Sequence, residues 1–282
     1  MREPVTEKPY RASSSESFPL IEHVQQAYLT AQRKQRRLVL ASQISLLALF
    51  FGLWELAGRL RWIDILLFSY PSKIIALLYT KLLDGSLLPH VAATVGETVI
   101  GFLLGTLAGT LLAALIWWVP FLAKVLDPYI VVLNSMPKVA LGPLFIVGFG
   151  PGLFSIVAMT LAITVIITIL VVYNSFREVD SNLVKVVQIF GGSKGDVFRK
   201  VIFPASIGTI VSALKVNVGL AWVGVMVGEF LVSKQGLGYL VVYGFQVFNF
   251  TLVIGSLFII GIVAAVMYKL VSWLEDKMNR HG

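Results

Sequence analysis

Three stretches carry no charged side chain at all, 38–54, 98–123 and 139–176, and charge crowds into the segments between them. Near the C-terminus, 207–231 and 251–274 are almost as apolar. A hydrocarbon core about 30 Å thick needs about 20 apolar residues as helix, so each of these reads as a membrane span once its flanks are added. The stretch 139–176 is 38 residues long, about 57 Å as one helix, and must therefore break. Gly148, Gly150, Pro151 and Gly152 supply the break, predicting spans at 128–147 and 153–174. The sum is about six helices, the others being 38–54, 98–123, 207–231 and 251–274. A short amphipathic helix is expected over 74–83, and Glu55 and Arg59, four apart at the end of the first span, are expected to pair. Gly101, Gly105 and Gly109 repeat every fourth position, a row of small residues that lets another helix approach closely, within one subunit or across a dimer seam.

The polar interruption at 177–205 has a pattern of its own. Leu183, Val187 and Phe190 recur at helical spacing, Gly191 and Gly192 break the run, and Val197, Phe198 and Val201 begin a second stripe. That predicts helix, elbow, helix. Ser193 and Asp196 have the spacing of a capping box. Pro204, lacking an amide hydrogen, is expected to stop the second helix after Phe203.

At these residues the chain resembles the permease subunits of ATP-binding-cassette (ABC) importers, in the nitrate/sulfonate/taurine branch. The shared cytoplasmic loop of that family carries Glu-Ala-Ala, a glycine four positions on and an Ile-x-Pro ending. Gly192, Ile202 and Pro204 match, whereas Val186, Val187 and Gln188 stand where Glu-Ala-Ala would be. The segment containing Trp222, Glu229 and Gly236-Leu237-Gly238 is similar to another stretch of the branch, as is the proline-rich one with Pro137 and Pro143. The likeness runs from about residue 88 to the end. It implies an all-α membrane protein of the type I importer kind, organised as a polar and basic head (1–37), a first span with linker (38–87) and a permease domain (88–282) with its coupling loop at 177–205. It further implies a homodimer, a separate ABC ATP-binding subunit docked on the loop through Gly191, Gly192, Ser193, Asp196, Phe198, Ile202 and Pro204, and an extracytoplasmic solute-binding protein. No cofactor is expected on this chain; ATP and Mg belong to the partner.

Composition agrees with a membrane domain: 57% of the 282 residues are apolar and 13% charged, against about 25% charged in soluble domains. The net charge of +8 sits largely at the ends and in the central loop, where it suits anionic lipid headgroups and does not imply nucleic acid. Residues 1–19, serine-rich, are expected to lack fixed structure. Leu20, Ile21, Val24, Ala27, Tyr28 and Ala31 share a helical face ahead of Arg33, Lys34, Arg36 and Arg37, an interfacial helix with a basic anchor. No cleavable leader is expected, since the first long apolar run starts only near Leu38. Seven basic residues precede the first span and five lie in 177–200, which predicts a cytoplasmic N-terminus and loop; the resemblance implies that the membrane is the inner membrane of a bacterial cell. Arg59, Arg61, Lys73 and Lys81 fit that rule poorly.

Catalytic chemistry finds no support. Cysteine is absent, and His23, His90 and His281 are scattered without metal-ligand spacing. Gly191-Gly192-Ser193-Lys194 lacks the glycine spacing of a phosphate-binding loop, so ATP hydrolysis is expected elsewhere. The informative charges are those within spans, Glu97, Lys215 and Glu229, with Lys138 beside Pro137. Such groups face a cavity, a partner or an interface. Each is a candidate pathway or gate residue, with a structural hydrogen bond the alternative for Glu229 and snorkelling for Lys215. Lys215 and Glu229 lie about 21 Å apart along one helix and need different partners. The rival class is an ion-coupled secondary transporter, which needs no docking loop and more often shows internal repeats.

Overall fold

The computed structural model describes the backbone of residues 17–279 and the side chains of residues 28–277. The expectations for residues 1–16, for the side chains of Leu20 to Ala27 and for His281 lie outside the described residues. By its contacts the chain divides into two units, Met1–Trp62 and Ile63–Gly282.

In the first unit a single helix, α1 (Ser17–Arg59), replaces the expected interfacial helix and separate span. No glycine or proline occurs between Leu20 and Phe51 to divide them. Its Tyr28–Arg59 portion is long and apolar enough to cross a membrane. Glu55 and Arg59 pair as expected, 2.6 Å apart.

The second unit runs α2 (Ile65–Phe68), α3 (Pro71–Leu83), α4 (Leu87–Trp118), α5 (Pro120–Ser135), a 3-10 turn (Lys138–Leu141), α6 (Gly142–Phe149), α7 (Leu153–Glu178), α8 (Ser181–Ile189), α9 (Lys194–Val197), a π turn (Phe198–Ile202), α10 (Phe203–Val232), α11 (Leu237–Gln246) and α12 (Phe250–Asn279). The expected spans are present with shifted ends. α4 stops at Trp118 because Pro120 opens α5, a position where its missing amide hydrogen costs nothing. The span expected at 128–147 is a broken one. α5 and the segment Lys138–Phe149 meet at 93°, with the break at Pro137. α11, between the last two expected spans, is an addition to them.

Helix α7 is the centre of this unit, and glycines on its neighbours set the packing. A Cβ on Gly101, Gly105 or Gly109 of α4 would overlap Thr160, Thr164 and Thr168 respectively. On the other side, one on Gly224 or Gly228 of α10 would come within 2.8 Å of Thr160 and 2.9 Å of Ile156. The glycine row is thus spent inside the subunit. The threonine hydroxyls donate to carbonyls of their own helix, Thr164 to Thr160 at 2.9 Å and Thr168 to Thr164 at 2.7 Å, so no unpaired donor faces the glycines.

The numbers in these pairs rise together for α4 and α7, so the two helices run parallel; for α10 they run opposite. Parallel neighbours joined through α5 and α6 require that segment to travel the length of the bundle back to the start of α7. The bent pair is therefore one crossing and not a re-entrant hairpin. Close to the middle of the bundle, Asn217 on α10 donates through Nδ2 to Thr106 on α4 (2.7 Å) and Thr168 on α7 (2.6 Å).

Candidate functional site

The loop after α7 is built from local rules. Asp180 caps α8 by accepting from the Asn182 amide at 2.8 Å. Past its end Gly191 takes φ +77°, the left-handed region that glycine enters without steric cost. The Gly192 amide donates to the Val187 carbonyl at 2.9 Å, and a Cβ at Gly192 would lie 2.7 Å from that oxygen. The elbow thus needs glycine twice, once for conformation and once for space. The expected capping box is present: Asp196 N–H donates to Ser193 Oγ at 3.2 Å, and Ser193 N–H to Asp196 Oδ2 at 3.0 Å.

Pro204 does not stop the helix. It occupies the first turn of α10, and a π turn joins α9 to α10 without interruption, with the Phe203 amide donating to Phe198 O. A residue without an amide hydrogen is accommodated where the helix changes register. Phe198 projects into a box of aromatic rings, with centroids 5.1 Å from Trp117, 5.6 Å from Phe176 and 6.0 Å from both Trp118 and Phe203. Lys194 closes that box. Its Nζ donates to the Trp118 carbonyl at 2.5 Å and lies 5.4 Å and 5.7 Å from the Trp117 and Trp118 rings. Val197 and Ile202 are buried with Ala113, Val172 and Phe176. The loop is consequently fixed to the ends of α4 and α7 and continuous with α10.

On α8 the stripe read from the sequence splits. Val184 and Val187 pack inward, whereas Leu183, Val186, Ile189 and Phe190 point out, the last two 81% and 86% exposed. The reason is the tight elbow, which turns Val187 under Gly192 and leaves Phe190 beyond the last turn. The Trp117–Trp118 pair was missed because its partners lie 76 residues further on.

The embedded charges fall into different environments. Glu229, 1% exposed, sits at the end of the bundle opposite the loop. It accepts from Thr94 Oγ1 at 2.6 Å and from the Gly238 amide at 2.5 Å, while Thr94 accepts from the Leu237 amide and His90 Nδ1 from the Gly236 amide. Three side chains, His90 and Thr94 on α4 and Glu229 on α10, thereby satisfy the amides of Gly236, Leu237 and Gly238 at the start of α11, which no intrahelical carbonyl can. Glu97, 9% exposed, lies against the Glu229 carboxyl. Lys215 contacts Glu275 of α12 at 3.3 Å and the Tyr268 ring at 5.4 Å. Ser212 holds the other Glu275 oxygen at 2.6 Å. Lys138 is different: its Nζ donates to Asn134 O at 2.8 Å, and no carboxylate pairs with it among the described residues. It lies at the bend between α5 and α6, about 24 Å along from the start of α5. The sequence candidates thus form three places: the loop, the Glu97–Glu229 end and the Pro137–Lys138 break.

Residues 101–281 match the family model described as binding-protein-dependent transport system inner membrane component. A putative aliphatic sulfonates transport permease protein of Bacillus subtilis (strain 168) is 28% identical, the alignment covering 82% of this chain and 84% of that one. A formylaminopyrimidine transport permease protein of Halalkalibacterium halodurans is 27% identical, over 79% and 89% of the two chains. Among solved structures, a chain from the inward-facing MetNI methionine ABC transporter superposes with a TM-score of 0.59 at 18% identity, over 69% of this chain and 95% of that one.

Proposed function

The chain belongs to the binding-protein-dependent transport system inner membrane components, the permeases of ABC importers, and on that premise we propose that it forms the pathway for a small sulfonate-type anion, driven by a separate ATP-binding subunit docked on α8 and α9. The observation that carries this reading is the loop itself. Its outer face is apolar and unpartnered at Ile189 and Phe190, and its inner face is held to α4, α7 and α10 by Lys194 and Phe198. A push on such a face reaches the membrane helices as a rigid-body displacement. The continuous π turn gives α10 the most direct link.

The loop follows four crossings counted from the N-terminus: α1, α4, the bent α5–α6 pair and α7. That even number, together with the basic-residue count, supports a cytoplasmic N-terminus and loop in an inner-membrane protein. A second copy of the chain completes the pathway, and a solute-binding protein delivers substrate at the Glu229 end. Irregular backbone at membrane depth is tolerated where it lines a cavity, so the Pro137–Lys138 break is the segment assigned to the pathway, with Lys138 the cation that meets a passing anion. The anion class follows the sulfonate name of the Bacillus relative together with that cation.

Uptake into inverted or reconstituted vesicles tests the proposal. Transport of an alkanesulfonate should require ATP on the loop side and persist when ion gradients are collapsed with ionophores. Uptake that follows an ion gradient without ATP would refute it.

A further inference from the structure

We propose that the open cleft where α4, α5 and α7 meet at the loop end of the bundle holds the phosphate of an anionic lipid headgroup. The cleft has a volume of about 520 Å³, and its walls include Trp117, Pro120, Lys124, Asp127, Tyr173 and Arg177. Two cations therefore face it from two different helices, against one carboxylate. Arg177 lies over the Tyr173 ring at 5.8 Å, and neither Lys124, Asp127 nor Arg177 takes part in an ion pair among the described residues.

Position selects the ligand. Trp117 is in the last turn of α4, Arg177 is in the last turn of α7 and Lys124 is in the second turn of α5, so the cleft lies where three membrane helices leave the apolar region. Tryptophan and tyrosine concentrate at that level, and basic pockets between helices there bind lipid headgroups. Apolar, exposed side chains flank it along α5: Phe121 (76%) lies one turn before Lys124, and Val131 (57%) lies one turn beyond Asp127 on the same face. A phospholipid meets both requirements, its phosphate between Lys124 and Arg177 and its chains against those faces. A free oxyanion uses the cations and leaves the apolar rim unexplained. Trp117 also forms a wall of the Phe198 box, so a headgroup in the cleft touches the structure that fixes the coupling loop.

The test is a lipid titration of the detergent-purified transporter, read by native mass spectrometry, with dioleoylphosphatidylglycerol, dioleoylphosphatidylcholine and inorganic phosphate as separate probes. Phosphatidylglycerol should bind in preference to phosphatidylcholine. Lys124→Gln and Arg177→Gln should each weaken it about fivefold. Asp127→Asn should strengthen it, a gain that misfolding cannot imitate. Phosphatidylglycerol binding indifferent to all three substitutions would overturn the site. Inorganic phosphate displacing the lipid at millimolar concentration, with the same response to the substitutions, would overturn the lipid assignment in favour of a free oxyanion.

Discussion

Gly192 lies directly over Val187: its amide donates to the Val187 carbonyl at 2.9 Å, and a side chain there would come within 2.7 Å of the same oxygen. Gly192→Val must therefore open the elbow and re-aim α8, at a cost of about 1–3 kcal/mol for forced overpacking. The membrane helices do not depend on this contact. Normal membrane abundance with transport reduced at least tenfold is the expected result, measured by immunoblot and uptake; normal uptake would remove the elbow from the coupling account.

Lys194 makes both a charge-assisted hydrogen bond to Trp118 O and contacts to two indole faces. Exposed cation–π contacts contribute about 0.5–1 kcal/mol, so Lys194→Gln should lower transport about two- to fivefold at unchanged abundance. Lys194→Arg keeps the charge over the rings and should recover most of the loss. Equal activity of the Gln and Arg variants, both low, would point to a partner contact instead.

The α4–α7 seam predicts a coupled pair. Gly105→Ala drives a methyl group into Thr164 and should destabilise the bundle by about 1–3 kcal/mol, seen as a lower melting temperature in detergent. Thr164→Ala removes the hydroxyl that the methyl strikes first and should restore part of the loss in the double variant. Additive effects of the two substitutions would show that the helices do not meet at this register.

Glu229 is hydrogen-bonded to the start of α11, and a structural role there predicts no effect on which solutes compete. Glu229→Gln replaces one acceptor by an NH2 group: facing the Gly238 amide it leaves that donor unpaired, and facing Thr94 it turns the hydroxyl onto the His90 carbonyl, the longer of its two bonds. Lower thermal stability with an unchanged set of competing substrates is expected. A shifted competition profile in vesicle uptake would make Glu229 a pathway residue.

Much of this was legible in the sequence because the governing contacts are short-range or periodic. Gly101, Gly105 and Gly109 announce a close helix contact by spacing alone, and Ser193 with Asp196 announces a cap. What escaped depends on residues far apart in the chain. The start of α11 was hidden because its amides are satisfied by Thr94 and Glu229, on two other helices. Pro204 was read as a stop because only the packing of Phe198 between Trp117 and Phe176 makes a continuous π turn favourable. Pro137 and Lys138 mark an interruption of the 128–147 span in the sequence, but apolar composition does not encode the direction in which the chain turns there; the parallel course of α4 and α7 does.

The chain has no cysteine, so a single thiol can be introduced at Ile189, 81% exposed on the outer face of the loop, in cells that also express the ATP-binding subunit. Brief treatment with a short bifunctional thiol cross-linker, the partner carrying one cysteine on its own docking face, is the measurement nearest to the central claim. The account predicts a covalent adduct between the permease and the ATP-binding subunit that forms from Ile189→Cys and not from Gln235→Cys at the opposite end of the bundle. An adduct from Gln235→Cys alone, or free labelling of Ile189→Cys from outside intact cells with no adduct, would contradict it.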